Sequence, residues 1–384
     1  MKYLLILLLS CILMPAGAQA PVTIGQAITL HSAILNEDRS IFIYLPDGYA
    51  QTQASYPVIY LLDGETHFLH TATSAAFLAT LGQMPKCIMV SIANTDRARD
   101  MTPKPAVPDK DFPGGGGSDA FLSFINKELK PYIQSNYRTD PFTILAGTSL
   151  SGLFVVNAFI KEPYSFNAYI AASPALWWDN KAVVNGAENV LKTPIIKNRF
   201  LFVSLCDGDS KVLQESTQQL LTMLKTRQQD SVHYQYMYIP GENHNSSPLK
   251  SFYSAFEWLY DGWQMESVST LDSLKQHYKL LSNKYSYHIE IPETQINSLG
   301  YNLLFNNRHN EAIKVFKLNT EKYPGSANAW DSMGDAYKLS GDLEAAKTAY
   351  EKGCAIGKQT NDINSSSMCN NLAEIIKLIQ QKTK

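Results

Sequence analysis

Gly147-Thr148-Ser149-Leu150-Ser151-Gly152 places a hydroxyl among small residues, between the apolar run Phe142–Ala146 and the apolar run Leu153–Phe159. The first run reads as a strand and the second as a buried helix. A serine at a sharp strand-to-helix turn has the form of a nucleophile elbow. Glycine is needed where a Cβ would collide in the turn, and the helix that follows offers free N–H groups to a developing oxyanion. The pattern departs from G-x-S-x-G at one place, where Ser151 holds the last glycine position and Gly152 comes one residue later. Gly116-Gly117-Ser118 and Gly208-Asp209-Ser210 also match a bare G-x-S, and only the strand–turn–helix context singles out Ser149.

A nucleophilic serine needs a base and a group that orients it. In doubly wound hydrolases these follow in the order serine, acid, histidine, each in a loop after a strand. Of the eight histidines, His31 and His233 lie in strands, and His67 and His70 precede Ser149. His277, His288 and His309 fall in polar, helical text, which leaves His244 in the loop Pro240–Asn245 as the base. The acid is expected in Cys206-Asp207-Gly208-Asp209-Ser210, after the strand Phe200–Leu205. Asp209 is preferred and Asp207 is the alternative, and either could instead cap the next helix. The oxyanion donors are expected from the Leu150 backbone and from the loop Asp63-Gly64-Glu65, with Gly64 or Glu65 supplying the second N–H.

These residues need a scaffold. Val22–Leu35 and Ser40–Leu45 read as strands joined at Asn36-Glu37-Asp38, followed by strands at Pro57–Leu62, Lys86–Ala93, Ala168–Ala172, Phe200–Leu205 and His233–Ile239. Helices are expected at Ala120–Tyr132, Leu213–Leu224 and Ser251–Tyr260. Alternating strands and helices, with strands apolar along their length, predict an α/β fold with a mostly parallel sheet covered on both faces. Asp100–Ser118, with Pro103, Pro105, Pro108, Pro113 and Gly114–Gly117, reads as a long irregular loop, either a lid or binding loop or plain surface.

Beyond Trp263 the text turns polar and helical. Ile296 and Trp330, Leu299 and Met333, Gly300 and Gly334, Ala312 and Ala346, and Phe316 and Tyr350 are each separated by one interval, the tetratricopeptide period. The expected organisation is an α/β-hydrolase domain over 21–263, a helical linker over 264–293 and a small all-α tetratricopeptide-like module over 294–384. Helix pairs of this kind bury their faces on one another, so flanking helices are expected as caps. The module is docked on the α/β domain or tethered to it, and offers a place for a protein partner.

With 384 residues, 45% of them hydrophobic and 18% charged, the chain can build a substantial core. A net charge of −2 with no basic stripe argues against nucleic acid as a partner. Met1-Lys2-Tyr3, the apolar Leu4–Leu9 and Ala18-Gln19-Ala20 form a signal peptide over 1–20, which predicts a periplasmic or secreted protein. Leu8-Leu9-Ser10-Cys11 only faintly matches a lipoprotein box, and no other stretch is long and apolar enough to span a bilayer. Cys87 and Cys206 read as small buried hydrophobes, and spacing leaves open whether Cys354 and Cys369 pair. His67 and His70 form H-x-x-H without a third ligand, so no metal is expected.

Taken together, Tyr56–Gly64, Asn94–Pro103, Gly117–Phe121, the elbow and Ser173-Pro174-Ala175-Leu176-Trp177-Trp178 resemble the "putative esterase" group of α/β-hydrolases over residues 22–262. That group takes in siderophore esterases of the enterobactin type, esterase D, feruloyl and acetyl xylan esterases, and mycolyltransferases. The chain looks most like the siderophore-esterase-like members, many of which carry a C-terminal tetratricopeptide module. The resemblance implies Ser149 as nucleophile, His244 as base, Asp209 as acid, and Arg97, Arg99, Trp177 and Trp178 around the pocket, with no cofactor. For the tryptophans a packing role stands beside that one. The usual elbow is G-H-S-x-G-G, so Thr148 and Ser151 are departures. The expected activity is hydrolysis of a small-molecule or glycan-linked ester through an acyl-enzyme. The alternatives are a hydrolase-fold binding or scaffold protein that has lost catalysis, or acyl transfer to an acceptor other than water.

Overall fold

The computed structural model describes residues 22–192, 198–226, 232–265 and 268–382. The signal peptide read over 1–20 lies outside them. Eight strands form one sheet: β1 (Gln26–Ser32), β2 (Glu37–Tyr44), β3 (Tyr56–Leu61), β4 (Ile88–Ile92), β5 (Thr139–Thr148), β6 (Ala168–Ala172), β7 (Arg199–Cys206) and β8 (Val232–Ile239). Their order is β1-β2-β4-β3-β5-β6-β7-β8. β1 and β2 pair antiparallel, as do β2 and β4, and every other pairing is parallel. The first turn falls earlier than the sequence suggests, between Ser32 and Glu37, where Asn36 takes a left-handed φ of 52°.

Fourteen helices are described: α1 (Gly64–Thr80), α2 (Arg97–Met101), α3 (Ser118–Phe124), α4 (Lys130–Asn136), α5 (Leu150–Lys161), α6 (Trp178–Lys192), α7 (Lys211–Lys225), α8 (Ser247–Leu259), α9 (Leu271–Tyr285), α10 (Glu293–Phe305), α11 (His309–Lys322), α12 (Ala327–Ser340), α13 (Leu343–Thr360) and α14 (Ser365–Lys382). The helix expected at Ala120–Tyr132 is α3 and α4 joined by a π-helical turn, Ile125–Leu129. That turn carries Glu128, whose carboxylate accepts Ser32 Oγ and the Ala33 and Ile34 N–H groups and so holds the β1–β2 turn.

The alternation of side chains along a strand sorts the core into two layers. Val58 and Tyr60, Leu145, and Leu201 and Val203 face α3, α5 and α7, against Phe121, Leu153, Phe154 and Leu220. Ile59 and Leu61, Ile144 and Ala146, and Phe202 face α1 and α8, against Ala72, Leu78, Phe252 and Phe256. This second layer runs without a break into the helical region through Tyr260, Leu274, Tyr278, Tyr285, Ile296 and Phe316. The helical region is therefore docked. Tyr285 of α9 meets Phe142, Phe200 and Tyr260 at ring separations of 5.3, 5.9 and 5.5 Å. Phe142 and Phe200 stand at the ends of β5 and β7 away from Ser149 and Asp209, so α9 braces the far end of the sheet.

Two glycines show why the C-terminal period exists. A Cβ on Gly300 would stand 2.4 Å from the Phe316 ring, and one on Gly334 would stand 2.4 Å from the Tyr350 ring. In each helix pair an aromatic ring from the second helix lies on a glycine of the first. A disulfide joins Cys354 of α13 to Cys369 of α14, while Cys87 and Cys206 are free and buried. Among the described residues no helix is long and apolar enough to cross a membrane.

Candidate active site

Ser149 follows β5 and caps α5 with φ 57° and ψ −117°, a conformation costing on the order of 1–3 kcal/mol for a residue with a Cβ. Its surroundings hold it there. Its N–H donates to the Ala172 carbonyl at 3.0 Å, and its own carbonyl accepts the Leu153 and Ala175 N–H groups, each at 2.9 Å. A Cβ on Gly147 would stand 2.7 Å from Ser151 backbone atoms, and one on Gly152 would stand 3.0 Å from Pro174 Cα. Both glycines are thus demanded by close backbone approach. Ser149 stays partly exposed while Leu150 beneath it is buried.

Ser151 fills the position where a glycine is usual. Its Oγ accepts the Thr148 N–H at 2.8 Å and has two acceptors for its one proton, Asp63 Oδ2 at 2.7 Å and the Thr148 carbonyl at 2.8 Å. Asp63 follows β3, is buried, and has a left-handed φ of 54°. Its carboxylate takes a bidentate grip from Arg97, at 2.7 and 2.8 Å, and a bond from Asn94 Nδ2 at 2.8 Å. Burial works to raise its pKa, but the Arg97 pair, with Asn94 and Ser151, outweighs burial and holds it below the ordinary value. Arg97 Nη2 also reaches the Thr148 carbonyl at 3.3 Å.

Gly64 and Glu65 open α1, whose first intrahelical bonds run from the Thr66 and His67 N–H groups to the Asp63 carbonyl. The N–H groups before them have no partner within the helix. A Cβ on Gly64 would stand 2.9 Å from the Ile92 carbonyl carbon, so this glycine answers to the packing of α1 on β4. The Glu65 carboxylate accepts the Asn94 N–H and Nδ2.

Two strands further along, Asp209 and His244 come together from the loops after β7 and β8. His244 Nδ1 lies 2.6 Å from Asp209 Oδ1. Asp209 Oδ2 accepts Ser173 Oγ at 2.7 Å and the Cys206 N–H at 2.8 Å. Burial works to raise the Asp209 pKa, and the bonds from His244, Cys206 and Ser173 outweigh it, leaving the carboxyl below its ordinary value. Asp207 points elsewhere, accepting Tyr238 Oη at 2.5 Å and the Gly241 N–H at 2.7 Å. Gly208, between the two acids, donates its N–H to the Glu242 carbonyl, and a Cβ there would stand 2.5 Å from Asn243 Cα. That contact brings the His244 loop against the Asp209 loop. No hydrogen bond joins Ser149 Oγ to His244 among the described residues.

The other residues expected at the pocket divide. Arg97 is the Asp63 partner, and its side chain is 38% exposed. Arg99 is spoken for by Glu37 at 2.6 Å and Asp100 at 2.7 Å, in a network that closes around the fully buried Arg39. Trp178 is buried, with Nε1 donating to the Pro103 carbonyl at 3.0 Å and its ring against Gly115. Trp177 is partly exposed and lies 5.9 Å from the Phe112 ring. The Asp100–Ser118 loop is pinned at both ends: Gly116 donates its N–H to Thr102 Oγ1, and Gly117 donates its N–H to the Arg99 carbonyl. Sequence reasoning gave no role to Asp63, Asn94 or Ser173. All three stand in the runs that bear the resemblance, and the contacts that give them their places, with Ser173 held at φ 40°, come only from the fold. Among the described residues no three His, Cys, Asp or Glu side chains gather as they would around a metal ion.

A mostly parallel sheet with an elbow after its fifth strand and an Asp–His pair two strands on defines an α/β-hydrolase. The model of the "Putative esterase" family matches residues 32–266, and the chain belongs to that family, whose chemistry is carboxylic ester hydrolysis. It is 27% identical over 238 residues to the ferri-bacillibactin esterase BesA of Bacillus subtilis, covering 55% of this chain and 81% of that one. It is 31% identical over 152 residues to the siderophore triacetylfusarinine C esterase of Aspergillus fumigatus, covering 36% of this chain and 50% of the relative. The crystal structure of an IroE-like serine hydrolase from Shewanella oneidensis superposes with a TM-score of 0.71 at 27% identity, covering 77% of this chain and 99% of its own. An uncharacterised protein from Capnocytophaga ochracea shares the fold over 92% of this chain, with a TM-score of 0.62 at 18% identity. The resemblance read from the sequence is borne out, as are the α/β-hydrolase fold and the all-helical C-terminal region.

Proposed function

We propose that this protein is an exported serine esterase that hydrolyses a siderophore ester through an acyl-enzyme on Ser149. His244 takes the Ser149 proton, Ser149 Oγ attacks the ester carbonyl, and the alcohol leaves with that proton. Water, deprotonated by His244, then releases the acid and frees the serine. The Leu150 N–H and the N–H of Gly64 or Glu65 stabilise the oxyanion, and Arg97 and Trp177 stand at the rim. Arg99 and Trp178 support that rim from behind. The observation that carries this reading is the 2.6 Å contact of His244 Nδ1 with Asp209 Oδ1, at the same sheet edge as the left-handed Ser149. The siderophore substrate is supported by the two esterases similar to this chain, which act on ferri-bacillibactin and triacetylfusarinine C. Export is supported by the Met1–Ala20 segment and by the Cys354–Cys369 disulfide. The paired glycine–aromatic contacts support two tetratricopeptide repeats in the helical region.

The test is hydrolysis of a short-chain p-nitrophenyl ester and of a ferric catecholate trilactone by wild type and Ser149→Ala, with fluorophosphonate labelling mapped by mass spectrometry. Turnover of both esters lost in the variant, with the label on Ser149, is the expected result. Turnover unchanged in Ser149→Ala removes the mechanism. Turnover of feruloyl or acetyl xylan in place of the trilactone moves the substrate to glycan-linked esters.

A further inference from the structure

The two expected oxyanion donors belong to different parts of the chain. Leu150 opens α5 after β5, and Gly64 and Glu65 open α1 after β3. One network spans the gap. Ser151 Oγ binds the Thr148 N–H on the elbow side and Asp63 Oδ2 on the other, at 2.8 and 2.7 Å. Asp63 immediately precedes Gly64, and Arg97 reaches from its carboxylate to the Thr148 carbonyl. The side chains that bridge the two donor sets thus form one charge-assisted cluster around the buried Asp63 and Ser151. A glycine at position 151 would leave Asp63 Oδ2 and the Thr148 N–H without this bridge.

We infer that Ser151, Asp63 and Arg97 are positioning residues that fix the separation of the two oxyanion donors, so that the serine departing from the usual elbow is itself part of the catalytic design. This rests on the reading of Ser149 as nucleophile. Donors act on the charge that develops in the transition state, so a change in their spacing falls on kcat and leaves ester binding nearly alone.

The experiment compares Ser151→Ala, Ser151→Thr and Arg97→Lys with wild type and Ser149→Ala in the full chain. It measures kcat and KM on a p-nitrophenyl ester and inhibition by an arylboronic acid, whose tetrahedral adduct with a serine Oγ mimics the oxyanion. Ser151→Ala is expected to lower kcat roughly 10- to 100-fold, as a misplacement of about 1 Å does, and to weaken boronate inhibition by a like factor. KM is expected to stay within about threefold, and Ser151→Thr, which keeps the hydroxyl, to recover most of the loss. Should Ser151→Ala fail to fold by circular dichroism, Arg97→Lys, which loses the bidentate grip on Asp63, carries the comparison on kcat and boronate inhibition alone, because Arg97 also stands at the rim. The inference is overturned if the folded variants keep kcat and boronate affinity while Ser149→Ala is inactive, a result that spares the nucleophile. Absence of labelling at Ser149 in wild type overturns both.

Discussion

At the residue scale the two candidate acids give the sharpest contrast. Asp209 and Asp207 lie two positions apart, and each could orient a histidine as far as chemistry goes. Only Asp209 meets His244, and its second oxygen is filled by Ser173 and the Cys206 N–H, which fixes the carboxylate plane. Asp207 is occupied with Tyr238 and Gly241. Asp209→Asn is therefore expected to lower kcat about 10³-fold or more at neutral pH by favouring the wrong imidazole tautomer, while Asp207→Asn stays within about twofold of wild type. Steady-state kinetics on a p-nitrophenyl ester checks both, and equal losses would show that the acid had been misassigned. Periodicity put both acids in one turn. Their separation needed the close approach of Gly208 to Asn243, which no spacing rule contains.

At the element scale, α1 carries the expected oxyanion loop at its start and rests on α8, which begins just after His244. Between the two helices lie His67 and His70, with Nδ1 of the first 2.9 Å from Nε2 of the second, against the Phe252 ring. Burial lowers the His67 pKa, and burial with the neighbouring His67 pushes His70 down to about 4. Between these depressed values and the ordinary value of about 6.5, the unfolded chain binds more protons than the folded one. The stabilisation is thus fully present above about 6.5 and is lost as pH falls toward the folded values. Urea unfolding at pH 7.5 and pH 5 is expected to show lower stability at pH 5, with the difference reduced in His67→Asn/His70→Asn. An unchanged difference in that variant would assign the acid sensitivity to other groups. The sequence showed two histidines at helical spacing, and the burial that makes them acid-sensitive comes from Phe252, far away in the chain.

At the scale of the whole molecule, the sheet and the helical region share one apolar layer, and α9 joins them at the sheet end remote from Ser149. Stability of the C-terminal helices and chemistry at the catalytic edge should then separate. The Cys354–Cys369 bridge spans 15 residues, which corresponds to about 3 kcal/mol of chain entropy removed from the unfolded state. Cys369→Ser, or treatment with a thiol reductant, is expected to lower the thermal midpoint and leave ester turnover at 25 °C within about twofold. Differential scanning calorimetry and a p-nitrophenyl ester assay check this together. A large fall in turnover would mean that the terminal helices act on the site.

The strands of the sheet, the strand–turn–helix around Ser149 and the all-helical C-terminal region were legible in the amino-acid sequence, because each is a local pattern: a hydrophobic period, a turn that excludes a Cβ, or an interval between glycines and rings; α1 and α6 were not. Which of the two acids meets His244, the pairing of Arg99 with Glu37 and Asp100, the burial of Trp178, and the bridge from Ser151 to Asp63 belonged to the tertiary structure. These join residues from different strands, and their partners are fixed by strand order and by where loops meet at one sheet edge. Two carboxylates in one turn look alike to any local rule, and only the fold decides which of them faces an imidazole.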